Sequence, residues 1–258
     1  MRRVIESYGA DPRQFGEWFL PENDGAPLAM LIHGGYFRPV WRLDLEEPTA
    51  LDLATRGFAV WSIEYRAYDH PWPSTILDVA AAIDHGLAEG SRHGVDITRR
   101  ALLGHSAGGG LAAWATSRRG LPADTPAADP DAPTFDLVVL HAPVACLAIG
   151  SREHLGEGAI DTFMGGRPED VPDRYAVTDP CALTPDPQGR RVLLHGDADE
   201  DVPVAQSEAY LAHLVGHGID AELAVLPGDT HYEILDPSST VSALRLDLLT
   251  RALRPGAQ

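Results

Sequence analysis

The sequence predicts an α/β fold, with a mostly parallel central sheet and helices on both faces. Short apolar, β-branched runs alternate with segments of helical periodicity along the chain, the pattern of a parallel sheet buried between two helical layers. At 258 residues the chain is near the upper size for one hydrophobic core, so a single domain spanning 1–258 is expected. No internal repeat divides it. The Pro-, Ala- and Asp-rich stretch at 121–133 reads as a surface loop, because a strand follows at once.

Residues 4–8 and 15–20 are expected as edge strands that pair antiparallel. The run at 28–33 is a buried strand ending in His33-Gly34-Gly35. A helix over about 48–56 leads to a strand at 58–65. In the next helix, 75–89, Ile76, Val79, Ala80, Ile83 and Leu87 recur at helical spacing, and Ser74 or Thr75 stands where an N-cap is wanted. The strand at 100–104 runs into Gly104-His105-Ser106-Ala107-Gly108, and a helix over 107–118 follows. Strands at 137–141, 192–195 and 221–226 continue the series, with helices at 205–217 and 239–253. Only about 146–187 departs from the alternation. A break of that length between core strands is where a small cap over a site could be inserted.

Hydrophobic residues make up 44% and charged residues 22%, as in ordinary soluble enzymes. The net charge of −18, with arginine as the only basic residue besides histidine, argues against nucleic acid and anionic membrane surfaces as partners. No apolar run approaches the ~20 residues that span a bilayer. The N-terminus lacks the apolar core and cleavage site of a secretory signal, so a cytoplasmic location is expected. Cys146 and Cys181 are too few for a disulfide framework and lack metal-ligand spacing; they read as buried free thiols in a reducing compartment. A small-molecule substrate is expected, with no metal and no organic cofactor.

Gly104-His105-Ser106-Ala107-Gly108 matches G-x-S-x-G. A sharp strand-to-helix turn strains the serine backbone and lifts its hydroxyl above the sheet, and flanking glycines relieve clashes. The pentapeptide alone is a weak signal. Its place between the apolar strand Ala101-Leu102-Leu103 and the helix former Leu111-Ala112-Ala113-Trp114-Ala115 is the context the motif demands. Ser106 is therefore the candidate nucleophile.

A hydroxyl nucleophile needs a base, and the base needs an orienting carboxylate. The loop after the last expected strand carries Asp229-Thr230-His231-Tyr232, which makes His231 the candidate base. The turn His195-Gly196-Asp197-Ala198-Asp199-Glu200-Asp201 crowds four carboxylates, and position alone does not choose among them. Upstream, His33-Gly34-Gly35-Tyr36 ends a strand with glycines that let backbone amides approach a bound carbonyl.

These segments, in this order, resemble the α/β-hydrolase superfamily across nearly the whole chain. The resemblance implies that the carboxylate is Asp199, the fifth position of His-Gly-x-x-Asp-x-x-Val-Pro, with Asp201 as the alternative. His33-Gly34-Gly35-Tyr36 is similar to the His-Gly-Gly-Gly loop of lipases and esterases, with tyrosine for the third glycine. That likeness implies oxyanion donors at the backbone amides of Gly35, Tyr36 and Ala107, with His33 bracing the loop. Together with Tyr65-Arg66, Trp72-Pro73 and the helix beginning Leu77-Asp78-Val79, the motifs look like the carboxylesterase and kynurenine-formamidase-like branch. The implied activity is hydrolysis of a small ester or amide through an acyl-enzyme. Acyl transfer with the same triad is the alternative, as is a receptor of low turnover. Phe37, Trp41, Trp72, Phe163 and Tyr232 lie on or near loops at the carboxyl ends of the strands. They are expected to wall an apolar or aromatic pocket, although core packing is the common fate of an aromatic.

Overall fold

The structure, a computed structural model, describes residues 1–254. Its eight strands are β1 (Arg2–Ser7), β2 (Phe15–Leu20), β3 (Ala26–Ile32), β4 (Ala59–Ile63), β5 (Val95–His105), β6 (Leu137–His141), β7 (Arg190–Gly196) and β8 (Ala221–Leu226). They form one sheet in the order β1-β2-β4-β3-β5-β6-β7-β8. β1 pairs antiparallel with β2, and β2 antiparallel with β4; every later pairing is parallel.

The period-2 alternation of side chains sorts the core strands between two apolar layers. Leu28, Met30 and Ile32 of β3 face a layer that includes Ile76, Val79, Ile83 and Leu111. Ala29 and Leu31 face the other, with Leu53, Val241 and Leu249. Those partners come from α1 (Glu47–Thr55), α2 (Ser74–Gly90), α3 (Ala107–Ala115) and α8 (Thr240–Leu253), while α7 (Val204–Gly216) adds Tyr210 and Leu214 to the first layer. Helices thus cover both faces, as expected. β8 is the far edge and less covered: each of its residues is half-buried or exposed.

Local details differ from expectation in physical ways. β5 begins five residues earlier than the apolar run suggested, and its pairing with β3 shifts register between Pro27 and Leu28. Neither Ser74 nor Thr75 caps α2; Pro73 precedes the helix, and the Thr75 hydroxyl donates to the Arg66 carbonyl at 2.7 Å. Ser239 does cap α8, accepting from the Ser242 amide at 3.1 Å.

Between β6 and β7 lie three short helices, α4 (Leu147–Arg152), α5 (Ala159–Met164) and α6 (Pro172–Thr178). The expectation of free thiols is corrected here. Cys146 and Cys181 bracket these helices and are joined as a disulfide, with Cα atoms 5.0 Å apart. A separation of 35 residues conceals the pairing in the sequence, because the approach exists only once the segment has folded back. The argument for a reducing compartment falls with the free thiols.

Candidate active site

β5 ends at His105, and Ser106 turns the chain into α3 with φ 57° and ψ −122°. A left-handed φ on a non-glycine residue is costly and persists only where its surroundings hold it. Here the Ser106 amide donates to the His141 carbonyl at 2.8 Å, and its own carbonyl accepts from Val144 at 3.0 Å and Gly110 at 3.2 Å. Gly108 is obligatory for the same turn. A Cβ there would run into the carbonyl oxygens of Ile32 and His33, because α3 lies with its backbone against the end of β3.

The loop after β3 comes close to the serine. A Cβ on Gly34 would sit 2.9 Å from the Ser106 Cβ. Gly35 and Tyr36 have φ of 110° and 50°, which turns the chain sharply past Ser106. Among the described residues, the amides of Gly35, Tyr36 and Ala107 donate to no turn or loop carbonyl. His33 is buried behind the loop, stacked on Tyr65 with ring centroids 4.3 Å apart. The Tyr65 hydroxyl donates to the His33 carbonyl at 2.8 Å. Behind them Glu64, fully buried, accepts from Arg13 Nε at 3.1 Å and from the Leu43 amide at 3.0 Å. Burial disfavours its charge, but contacts to His33 and Arg13 overcome that and bring its pKa down to about 2.

On the other side of the serine, His231 Nδ1 donates to Asp199 Oδ2 at 2.7 Å. Asp199 Oδ1 accepts the amides of Asp201 at 2.9 Å and Val202 at 2.8 Å. Burial opposes ionisation of Asp199, yet hydrogen bonds from His195 and His231 hold its pKa below the usual carboxylate range. The geometry thus separates Asp199 from Asp201, which pairs with no histidine among the described residues and whose carbonyl accepts from the Tyr36 hydroxyl. With Nδ1 engaged as donor, the other ring nitrogen of His231 carries the lone pair. Burial pushes the pKa of His231 below 6.5, partly offset by Asp199.

Ser106 and His231 line one open pocket of about 130 Å³ together with Gly35, Tyr36, Trp41 and Tyr232. Of the five aromatics assigned to a pocket from sequence, Trp41 and Tyr232 are at its rim, exposed by 42% and 51%. The other three are corrected. Phe37 and Phe163 are buried and stack on each other at 4.0 Å, so they belong to the core. Trp72 donates to Thr178 at 3.1 Å, lies under Arg174 and does not line the pocket of Ser106. Two histidines not singled out by sequence stand next to the site. His195 touches Asp199 at 3.4 Å and is held by Ser207 at 2.7 Å; His105 donates to the His231 carbonyl at 3.0 Å. The His195–Asp199 contact lies within the His-Gly-x-x-Asp stretch, four residues apart, whereas the His105–His231 contact joins distant elements that no local pattern connects.

The BD-FAE family profile matches residues 18–214. The chain is 28% identical over 254 residues to esterase LipC of Mycobacterium tuberculosis, covering 93% of this chain and 61% of LipC. It is 37% identical over 100 residues to esterase LipI of the same organism, covering 38% and 31% respectively. The chain therefore spans between about a third and three fifths of these relatives. Among solved structures, a truncated carbohydrate esterase from gut microbiota superposes with a TM-score of 0.82 at 21% identity, covering 98% of this chain and 96% of that one. Esterase B of Lactobacillus rhamnosis gives 0.78 at 22% identity, with 96% and 86% covered. These likenesses establish the α/β-hydrolase fold.

Proposed function

The chain belongs to the BD-FAE family, and from that premise we propose that it hydrolyses small esters, or formamides, through an acyl-enzyme on Ser106. The observation that carries this reading is the 2.7 Å His231–Asp199 pair opening onto the pocket that holds Ser106. His231 takes the hydroxyl proton as Ser106 attacks the carbonyl, then delivers it to the leaving group. Asp199 fixes the imidazole and stabilises its protonated form. The amides of Gly35, Tyr36 and Ala107 receive the oxyanion; loss of one such donor costs about 10²–10³ in rate. Water repeats the path to release the acid.

Pocket size narrows the acyl group. A volume of about 130 Å³ is below the ~300 Å³ at which drug-sized sites begin, so a formyl, acetyl or similarly short acyl group suits it. The leaving group then rests at the rim against Trp41 and Tyr232, which favours an apolar or aromatic alcohol or amine. The segment at 146–187 supports the oxyanion loop as a small cap: Gly156 packs on the Tyr36 ring, and Arg38 holds the Gly156 carbonyl at 2.8 Å.

A matched panel of N-formylkynurenine and p-nitrophenyl esters of rising chain length tests the reading, with fluorophosphonate labelling of the serine. Labelling at Ser106, its loss in Ser106→Ala, and a fall in kcat/KM with acyl length are expected. Turnover that survives Ser106→Ala would sink the assignment. Ester products formed with a competing alcohol would mark acyl transfer, and labelling without turnover on any panel member would mark a receptor.

A further inference from the structure

Behind the site, on the α1/α8 face of the sheet, lies a small closed group of polar side chains that the proposed mechanism does not use. Glu46, His105, His141 and Arg245 are each at most 4% exposed. They line one cavity of about 20 Å³ between apolar walls, enough room for a single water. Glu46 Oε1, His105 Nδ1, both nitrogens of His141 and Arg245 Nε have no hydrogen-bond partner in the protein. Buried polar atoms are normally paired, and a cluster of exceptions needs a reason.

The reason lies in what the group holds. Carbonyl oxygens only accept, so His105 Nε2 carries the proton it gives to the His231 carbonyl at 3.0 Å. Its Nδ1 then faces Glu46 Oε1 at 3.4 Å. Three residues on, the Ile234 carbonyl accepts from Arg245 Nη1 at 3.0 Å and from the Ser242 hydroxyl at 3.1 Å. Two carbonyls of the loop that carries the base are thus held, that of His231 by β5 through His105 and that of Ile234 by α8 through Arg245. The His105 and His231 rings are also in contact, with centroids 4.6 Å apart.

We infer that His105, backed by Glu46 at 3.4 Å, is a positioning residue for the reaction, fixing the backbone of His231 so that its free ring nitrogen meets the serine hydroxyl. The inference rests on the assignment of Ser106 and His231 proposed above. His105 borders the pocket of Ser106, and the role inferred for it runs through the 3.0 Å bond to His231. A misplacement of the base by about 1 Å can cost about 10²-fold in rate.

The test measures kcat and KM for p-nitrophenyl acetate in the full chain carrying Ser106→Ala, His105→Leu, His105→Gln or Glu46→Leu. Ser106→Ala should abolish turnover; if it does not, the site assignment falls and this inference with it. With Ser106→Ala inactive, His105→Leu should lower kcat about 10- to 100-fold at nearly constant KM. His105→Gln, whose amide nitrogen can still donate to the carbonyl, should recover most of that loss. A folded His105→Leu with wild-type kcat overturns the inference alone, as does a His105→Gln that is no better than His105→Leu. Should His105→Leu fail to fold, Glu46→Leu decides. A kcat reduced about tenfold at constant KM supports the positioning role, and an unchanged kcat overturns it.

Discussion

Asp199 and Glu64 keep their charge with fully buried side chains, and they do so by the same device. Asp199 and Glu64 each spend their acceptor capacity on backbone amides and on a histidine, and Glu64 adds Arg13. For Glu64 the consequence is a stability that depends on acid. Its folded pKa is depressed from 4.5 to about 2, so its contribution is complete above about pH 4.5 and is lost as pH falls through about 2. A shift of that size corresponds to about 3 kcal/mol. Glu64→Gln should therefore lose stability in urea at pH 7 and differ progressively less from wild type below pH 4, as chemical denaturation at several pH values would register. At His231 the sign is opposite in kind. Burial favours the neutral imidazole, the form a general base needs, so activity should persist to lower pH than for an ordinary histidine. The acidic limb of kcat/KM should have its midpoint below about 6.5; a limb centred above 7 would contradict the burial of this ring.

At the scale of elements, the disulfide between Cys146 and Cys181 ties the end of the β6 exit to the turn before β7 and so closes α4, α5 and α6 into one loop. Closing a loop of 35 residues restricts the unfolded chain by about 4 kcal/mol in the loop-entropy picture. Cys181→Ser should lower Tm by about 10 °C for a chain of this size, and a melt insensitive to reductant would show that the bond is not formed in solution. This pairing also marks where reading the sequence stops. Ser106 and His231 are legible because each depends on a few adjacent residues at a strand end, and the strand series is legible because burial imposes a period. The partner of a cysteine 35 residues away, the stacking of Phe37 on Phe163 and the contact of His105 with Glu46 depend on how separate elements pack. No local pattern records them. The same reasoning explains why Asp199 needed the family pattern to be chosen: four neighbouring carboxylates share one turn, and only the direction of His231 distinguishes them.

For the whole molecule, the strand order sets how the site comes together. The serine arrives from β5 in the middle of the sheet, with β3 and β6 on either side, whereas the histidine follows β8 at the edge. Val225 on that edge strand is 44% exposed, while Trp18, Trp61 and Trp114, in the first apolar layer, are at most 1% exposed. Proteins open first where apolar cover is thin. The edge that carries the base should therefore fray at a lower urea concentration than the interior melts, leaving a chain whose tryptophan fluorescence is native but whose turnover has gone. Parallel titrations of activity and fluorescence would show two separated midpoints, and coincident curves would refute the idea. Seen this way, the grip of His105 and Arg245 on the 231–234 loop is a clamp against reversible inactivation. The working lifetime of the catalyst would be set by the last strand of the sheet and its two anchors, more than by the stability of the core.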